Sequence, residues 1–455
     1  MESKSLQTHF IAIGGSVMHN LAIALKRKGH SVTGSDDEIF EPSRSRLENE
    51  GILPENEGWY PEKIHAGLDA VILGMHARKD NPELQRAEEL GLKILSFPEF
   101  IYEQSSDKQR VVIAGSHGKT TITAMIMHVL KYFDREFDYA VGAAIKGFDT
   151  MVQLSDAPLI IIEGDEYLSS PIDPTPKFLK YRHHIGLISG VAWDHVNVFP
   201  SEDEYVKQFE LFADATPKAG SLVYCEEDPM TSVIGSKERA DVNAIGYKTP
   251  SFVIEEGVSY LINGAHNVPL KIFGKHNLQN IAGALEILKR VGITEDQFYQ
   301  AISGFEGASK RLELIAENYD SALYKDYAHS PSKVRATTLA LREQYPERDL
   351  VACLELHTFS SLTKSFLTEY QGAMKFSNQP LVYFNQDTIN HKGLDPISEQ
   401  DIISAFGERG LKIFNEKEKL MDYLKDQDWK DKNLLMMTSG TFDHLNFESL
   451  KELIE

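Results

Sequence analysis

Only two cysteines, Cys225 and Cys353, occur in 455 residues. They lie too far apart to frame a disulfide scaffold and too few to build a structural zinc site, which leads us to expect a reducing, cytoplasmic setting. Long hydrophobic runs are also missing. A run such as residues 157–162 falls far short of the ~20 residues that a bilayer span requires, so no membrane insertion is expected. Residues 1–9 are mostly polar and lack the basic and long apolar regions of an export signal. Positive charge is in deficit, with 47 lysines and arginines against 68 aspartates and glutamates and a net charge of −21. A surface of that sign repels phosphate backbones and argues against nucleic-acid partners. It leaves room for one small anion, because a few residues set the charge of a pocket. Internal repeats and low-complexity tracts are absent as well.

What is present fits a folded chain of several domains. Hydrophobic residues make up 42% and charged residues 25%, and at about 150 residues per domain the length suggests about three domains. Residues 10–13 read as a buried strand, followed by Gly14 and Gly15, a helix ending at Gly29 and a second strand at 30–34, which is a βαβ opening. Apolar runs at 70–74 and 93–95 continue the alternation. The polar stretch 104–109 reads as a linker, giving a first domain over residues 1–107. A fresh strand at 110–114 starts a second domain, 108–308, with further strands at 159–163 and 185–191 and closing helices at 277–291 and 295–303. The third domain, 309–455, shows strands at 322–325, 350–355, 381–384 and 434–438 and a helix at 331–344. The fold class is therefore α/β in three domains. The first and third are Rossmann-like, and the central one is of the P-loop mononucleotide-binding type.

Chemistry concentrates where predicted strands end. Gly115-Ser116-His117-Gly118-Lys119-Thr120-Thr121 lies between a strand and a helix. Glycines there let backbone amides curl around phosphate oxygens, Lys119 adds a cation and the Thr120 hydroxyl can ligate magnesium. Its two glycines are separated by two residues, shorter than the usual four. The apolar run 160–162 then delivers Glu163, Asp165 and Glu166 together. Three neighbouring carboxylates suit a bound cation, whereas the plain alternative is a solvated acidic loop. Trp193-Asp194-His195 follows the next apolar strand, where His195 is a candidate metal ligand or an ordinary structural histidine. Lys207, on the helix beyond, reads as a surface lysine. Gly274 to Asn280 alone would be a helix cap. Lys310-Arg311-Leu312-Glu313 and Asp326-Tyr327-Ala328-His329-Ser330-Pro331 alone would be surface charge. After the first strand stands Gly14-Gly15-Ser16 in place of G-x-G-x-x-G, which disfavours a dinucleotide oxidoreductase.

Taken in order, G-S-H-G-K-T-T, E-G-D-E-Y, W-D-H, G-K-H-N-L-Q-N, K-R-L-E and D-Y-A-H-S-P resemble the motifs of the ATP-dependent Mur ligase family along essentially the whole chain. The resemblance implies an amide-forming reaction in which the carboxylate of UDP-N-acetylmuramate attacks the γ-phosphate of ATP, giving an acyl phosphate that an amine displaces. It implies ATP and Mg²⁺ as cofactors, with Gly115 to Thr121 on the phosphates and Lys119, Glu163 and His195 as the catalytic set. Thr120 and Glu163 would hold one magnesium and His195 would help hold a second. Asn277, Asn280, Arg311 and Asp326 would contact ATP, and His329 belongs to the same third-domain motif. Gly15, Ser16, Ser35 and Asp36 fall in first-domain segments similar to the family's UDP-sugar site, which makes that sugar nucleotide the expected partner. For the amine, G-S-D-D-E-I-F-E-P and M-T-S-G-T-F-D-H-L are similar to members that attach the tripeptide L-alanyl-γ-D-glutamyl-meso-diaminopimelate. L-alanine is the alternative. A histidine shared with the alanine-adding members stands at His357, but Thr358 and Ser361 replace the basic residues that usually flank it. A reading of another class is an ATP-binding regulator without catalysis.

Overall fold

The computed structural model describes residues 5–255, 257–264, 266–308 and 311–454. Lys310 and the expected domain start at 309 lie outside the described residues. The architecture is α/β and is built on three successive sheets. The first sheet has the spatial order Ser31–Ser35, Gln7–Ile11, Ala70–Leu73, Ile94–Ser96, and all its pairs are parallel. Phe10, Ile11, Val71, Ile72 and Leu73 are buried, as strands covered on both faces require.

The second sheet has seven strands in the order Asn243–Tyr247, Ser221–Cys225, Ile185–Ile188, Gln109–Ala114, Leu159–Glu163, Asp138–Ala140, Val152–Gln153, with only the last pair antiparallel. The helices Lys119–Tyr132 and Lys275–Arg290 pack together against it, burying Ile122, Met125, Ile126, Leu278 and Ile281. The chain leaves the central strand Gln109–Ala114 to one side and later returns on the other. In such sheets that reversal opens a crevice at the carboxyl ends of the strands. Residues 115, 163 and 189 therefore emerge from three adjacent strands.

The third sheet runs Glu313–Glu317, Ala322–Asp326, Lys432–Met437, Asp349–Leu356, Gln379–Phe384, Lys412–Phe414, with an antiparallel edge at Glu313–Glu317. An antiparallel meander, Phe252–Glu255, Val258–Asn263 and His266–Leu270, was not foreseen from the α/β alternation. It touches the helix Pro331–Gln344 through Ser259 Oγ and Gln344 Oε1 at 3.3 Å. Among the described residues no helix is long and apolar enough to cross a membrane.

The stretch 104–109 joins the helix Phe97–Gln104 to the strand Gln109–Ala114, as a linker does, but it is not wholly solvated. Ser105 and Lys108 are buried, and Lys108 Nζ lies 3.1 Å from Asp138 Oδ2. The Arg110 guanidinium donates to the carbonyls of Ser105, Ser106, Lys108, Tyr181 and Arg182 at 2.6 to 3.3 Å. Polar residues are tolerated inside here because each finds a partner.

The first and second sheets are joined by further contacts. Met151 N–H donates to Asn20 Oδ1 at 2.9 Å, and Arg27 pairs with Asp149 at 2.7 Å.

Beneath the second sheet His183 stacks on Phe212, with ring centroids 4.2 Å apart, and its Nε2 lies 2.9 Å from Thr216 Oγ1. Burial pushes this imidazole down to about 3, so it folds neutral. The unfolded ring takes its proton near an ordinary value of about 6.5. Between those values the unfolded state binds the extra proton, so stability is full above the higher value and falls as pH drops toward the lower. The urea midpoint should therefore decline as pH falls below about 6.5, and less steeply in the double variant His183→Phe/Thr216→Val, which removes both hydrogen-bonding partners together. His117 and His276, each pushed to about 4 by burial, leave a residual slope. An unaltered slope in the double variant would assign the acid sensitivity elsewhere.

Candidate active site

The loop between the central strand Gln109–Ala114 and the helix Lys119–Tyr132 is a tight backbone cradle. Gly115 and Gly118 adopt φ of 135° and 79°, a region that side-chain-bearing residues rarely enter. A Cβ on Gly115 would collide with Ser189 Oγ, and one on Gly118 with Asn280 Oδ1. Ser189 closes the other side by donating to the His117 carbonyl. Ser116 Oγ accepts from the Ala192 N–H and lies beside the Tyr205 hydroxyl oxygen, both at 2.9 Å. Burial, with Lys333 and Lys119 nearby, pushes the His117 imidazole down to about 4, so it is neutral at neutral pH. Thr121 is buried in the first turn of the helix.

Lys119 Nζ donates to the Gly115 carbonyl at 2.7 Å and to Glu166 Oε2 at 2.8 Å. Burial alone would lower this lysine, but Glu166 and Asp165 outweigh it and raise it, so it stays charged. Burial alone would raise Glu166, yet Lys119 and His195 hold it well below the usual carboxylate range. Glu166 Oε1 also accepts from the Tyr205 hydroxyl at 2.9 Å and lies 3.5 Å from His195 Nε2. Glu163 has a different role. Its Oε1 accepts from Thr120 Oγ1 at 2.6 Å and its Oε2 from the Gly142 N–H at 3.0 Å, while burial and Asp165 raise its pKa.

His195 sits at φ 59°, its N–H donating to its neighbour's carboxylate, Asp194 Oδ1, at 2.7 Å. Its Nδ1 lies 2.6 Å from the Tyr167 hydroxyl. Asp194 is where the second and third sheets meet. Oδ1 accepts from Ser360 Oγ at 3.3 Å, while Oδ2 lies 3.7 Å from His329 Nε2 and 3.9 Å from Lys333 Nζ. Burial would raise Asp194, but His329, Lys333 and His195 hold it far below its ordinary range. Trp193 meets Phe366 edge-on across the same boundary, at 5.7 Å between ring centroids.

The remaining third-sheet residues sit at strand ends. Asp326 accepts the Leu312 and Ala328 N–H groups, both at 2.6 Å. The Arg311 guanidinium lies over the Tyr327 ring at 4.5 Å. Asn280 lies against Gly118, and Asn277 Nδ2 donates to the Phe273 carbonyl at 2.9 Å. The first-sheet residues form a group of their own. The Gly14 N–H donates to Asp36 Oδ2 at 2.7 Å, and burial pushes Asp36 up to about 6. Gly15 opens the helix Ser16–Arg27, Ser16 Oγ faces Met151 Sδ at 3.7 Å, and the buried Ser35 Oγ has no protein partner among the described residues.

The expected residues 115–120, 163, 195 and 329 thus converge on one site, together with Glu166, expected as part of the acidic group, and with Asp194, Tyr205, Ser360 and Lys333, to which the motif reading gave no role. Lys333 carried a signal: a lysine in the first turn of a helix opposes the helix dipole, which favours anions there. Lys207 is exposed on the helix Glu202–Asp214 and pairs with Glu210 at 2.9 Å, away from this group. Among the described residues no three His, Cys, Asp or Glu side chains form a ready-made metal cage. Magnesium needs only one or two protein carboxylates besides water and phosphate oxygens. The touching Thr120 and Glu163 oxygens, at the mouth of the cradle, suit that requirement.

Residues 7–109 match the catalytic domain of the Mur ligase family and residues 113–288 the Mur ligase middle domain. The UDP-N-acetylmuramate–L-alanine ligase of Caldicellulosiruptor bescii is 31% identical over 386 residues, covering 82% of each chain. That of Aquifex aeolicus is 25% identical over 98% of this chain and 97% of its own. Among solved structures, a murein peptide ligase from Psychrobacter arcticus shares the fold over 99% of each chain, with a TM-score of 0.68 at 20% identity. A UDP-N-acetylmuramate–alanine ligase from Thermotoga maritima does so over 96% of this chain and 97% of its own, with a TM-score of 0.70 at 20% identity. The chain therefore belongs to the Mur ligase family, the ATP- and magnesium-dependent ligases that form amide bonds.

Proposed function

We propose that this ligase joins the amine of L-alanyl-γ-D-glutamyl-meso-diaminopimelate to the carboxylate of UDP-N-acetylmuramate. One observation carries the reading for the nucleotide half: Lys119, held charged at a glycine cradle, faces a buried acid cluster contributed by the neighbouring strand. A carboxylate attacking a triphosphate is an anion approaching a polyanion, so positive charge and alignment decide the rate. Backbone amides of Gly115 to Thr121 and the Lys119 ammonium take the β- and γ-phosphates. Asn277, Asn280, Arg311 and Asp326 take the rest of ATP, and Gly15, Ser16, Ser35 and Asp36 take the sugar nucleotide. Thr120 and Glu163 would hold one magnesium ion and His195 would help hold a second, and the metal would supply further positive charge to the reaction. The sugar acid's oxygen bonds to phosphorus as the bond to ADP breaks. The amine then attacks the acyl carbon and inorganic phosphate leaves.

For the amine, one of the two stretches that prompted the tripeptide reading, residues 437–445, packs against the segment that carries His357. Glu355, at the end of the strand Asp349–Leu356, accepts from Thr438 Oγ1 and from the Phe442 N–H, the latter at 2.9 Å, and so holds a left-handed turn at Phe442, Asp443 and His444. Gly440 has no room for a Cβ because the His357 ring lies against it. Thr358 and Ser361 hydrogen-bond to each other at 3.0 Å, which buries Ser361 beneath the His357 segment. Phe359 is exposed, with Lys392 4.6 Å from its ring centre, and we take this apolar and cationic pair as the contact for a peptide amine. The second reading, L-alanine as the amine, is favoured by the names of the curated relatives.

Phosphate release with ATP, magnesium and UDP-N-acetylmuramate separates the two. We expect turnover with the tripeptide to exceed that with L-alanine, and the reverse order would replace the first reading by the second. Lys119→Ala should lower kcat by about 10²–10³, the usual cost of losing one preorganised charge contact, while UDP-N-acetylmuramate still binds. Undiminished turnover would remove Lys119 from the phosphate role. Glu163→Gln should raise the magnesium concentration needed for half-maximal turnover by about tenfold or more. An unshifted magnesium titration would show that Glu163 does not hold the ion.

A further inference from the structure

Lys333 has no role in the motifs above, yet it occupies an electrostatically costly place. It is in the first turn of the helix Pro331–Gln344, whose N-cap Ser330 makes no side-chain cap and which has no acidic residue in that turn. An ammonium there opposes the positive end of the helix dipole. Its side chain is 23% exposed, and among the described residues its one ion pair is with Asp194 Oδ2, at 3.9 Å, too far for a hydrogen bond. That oxygen is itself buried without a hydrogen-bond partner among the described residues. The charges of Lys119 and Arg311 also act on Lys333 and oppose its own. Cations from three separate segments thus act on one another here, with Asp194 and Glu166 acting on Lys333, and Asp326 on Arg311, in the opposite sense. Cations drawn together in a partly dehydrated site suit an incoming polyanion.

We propose that Lys333 contacts the terminal phosphoryl group of the bound triphosphate, opposite Lys119. The inference rests on the nucleotide half of the function above and is independent of the amine. Lys119 comes from the second sheet and Lys333 from the helix that follows Ala322–Asp326, so the grip is complete only when the third sheet is seated on the second. As the carboxylate oxygen bonds to phosphorus, the bond to ADP breaks and its electron pair leaves with ADP. Lys333 keeps its protons throughout and only donates hydrogen bonds to the equatorial oxygens. Asp194, 3.9 Å away, holds the ammonium in place until the phosphoryl arrives.

A binding measurement tests this without turnover. The affinities of Mg-ADP and of Mg-AMP-PNP, which has a third phosphoryl group, are determined by calorimetry for the full-length chain and for Lys333→Met, Lys333→Gln and Lys333→Arg. We expect Met and Gln to weaken AMP-PNP by about tenfold or more, as loss of a charge-assisted contact does, to leave ADP within about twofold, and Arg to recover much of the loss. Equal weakening of both nucleotides would make Lys333 a structural residue, and unchanged affinity for both would remove it from the phosphate site. Either result overturns the proposal. A reversed amine preference in the turnover assay would leave it standing.

Discussion

The cleft depends on Glu166. Placed by the segment after the strand Leu159–Glu163, this carboxylate meets Lys119, the Tyr205 hydroxyl and His195 together. Removing water from an unpaired charge is costly, and the pairing keeps both Lys119 and Glu166 ionised where burial alone would neutralise them. One side chain therefore fixes the loop, the strand end and the helix Glu202–Asp214 relative to one another. On the proposed function, a phosphate entering the cradle would meet a cation already oriented and partly dehydrated, and such prior alignment is what electrostatic catalysis uses.

Asp194 plays the corresponding part between sheets. Its two oxygens face Ser360, His329 and Lys333, all supplied by the third sheet's segments, while its neighbour His195 faces Glu166 and Tyr167. The second and third sheets are thus coupled beside the glycine cradle, where we propose phosphoryl transfer. For a ligase, a site divided in this way would keep a reactive intermediate from water.

Much of this was legible in the residue string, for reasons that can be named. The strand Leu159–Glu163 is an unbroken apolar run stopped by Gly164, and the helix Pro331–Gln344 begins at a proline, so both were read with these bounds. The tight turn at Gly115 and Gly118 was legible because two glycines between an apolar strand and a helix mark a loop that side chains would crowd. Tyr205, Ser360 and Lys333 were not, since each acts through contacts with residues far away in sequence. The meander shows no clean alternation because its covered face includes the polar Ser259, bonded to Gln344, while Phe252 and Ile262 stand exposed. The polarity of 104–109 marked the connection between sheets, but composition does not show that a guanidinium will find carbonyls there to fill.

That guanidinium bears on how the molecule moves. Arg110 is moored to five main-chain oxygens on both sides of the passage from the first sheet to the second, and turning about that joint would strand all of them. The passage is thus a splint. At the later crossing Gly307 sits at φ 98°. The first and second sheets are thereby pinned as one block, and the third sheet meets it through the contacts of Asp194.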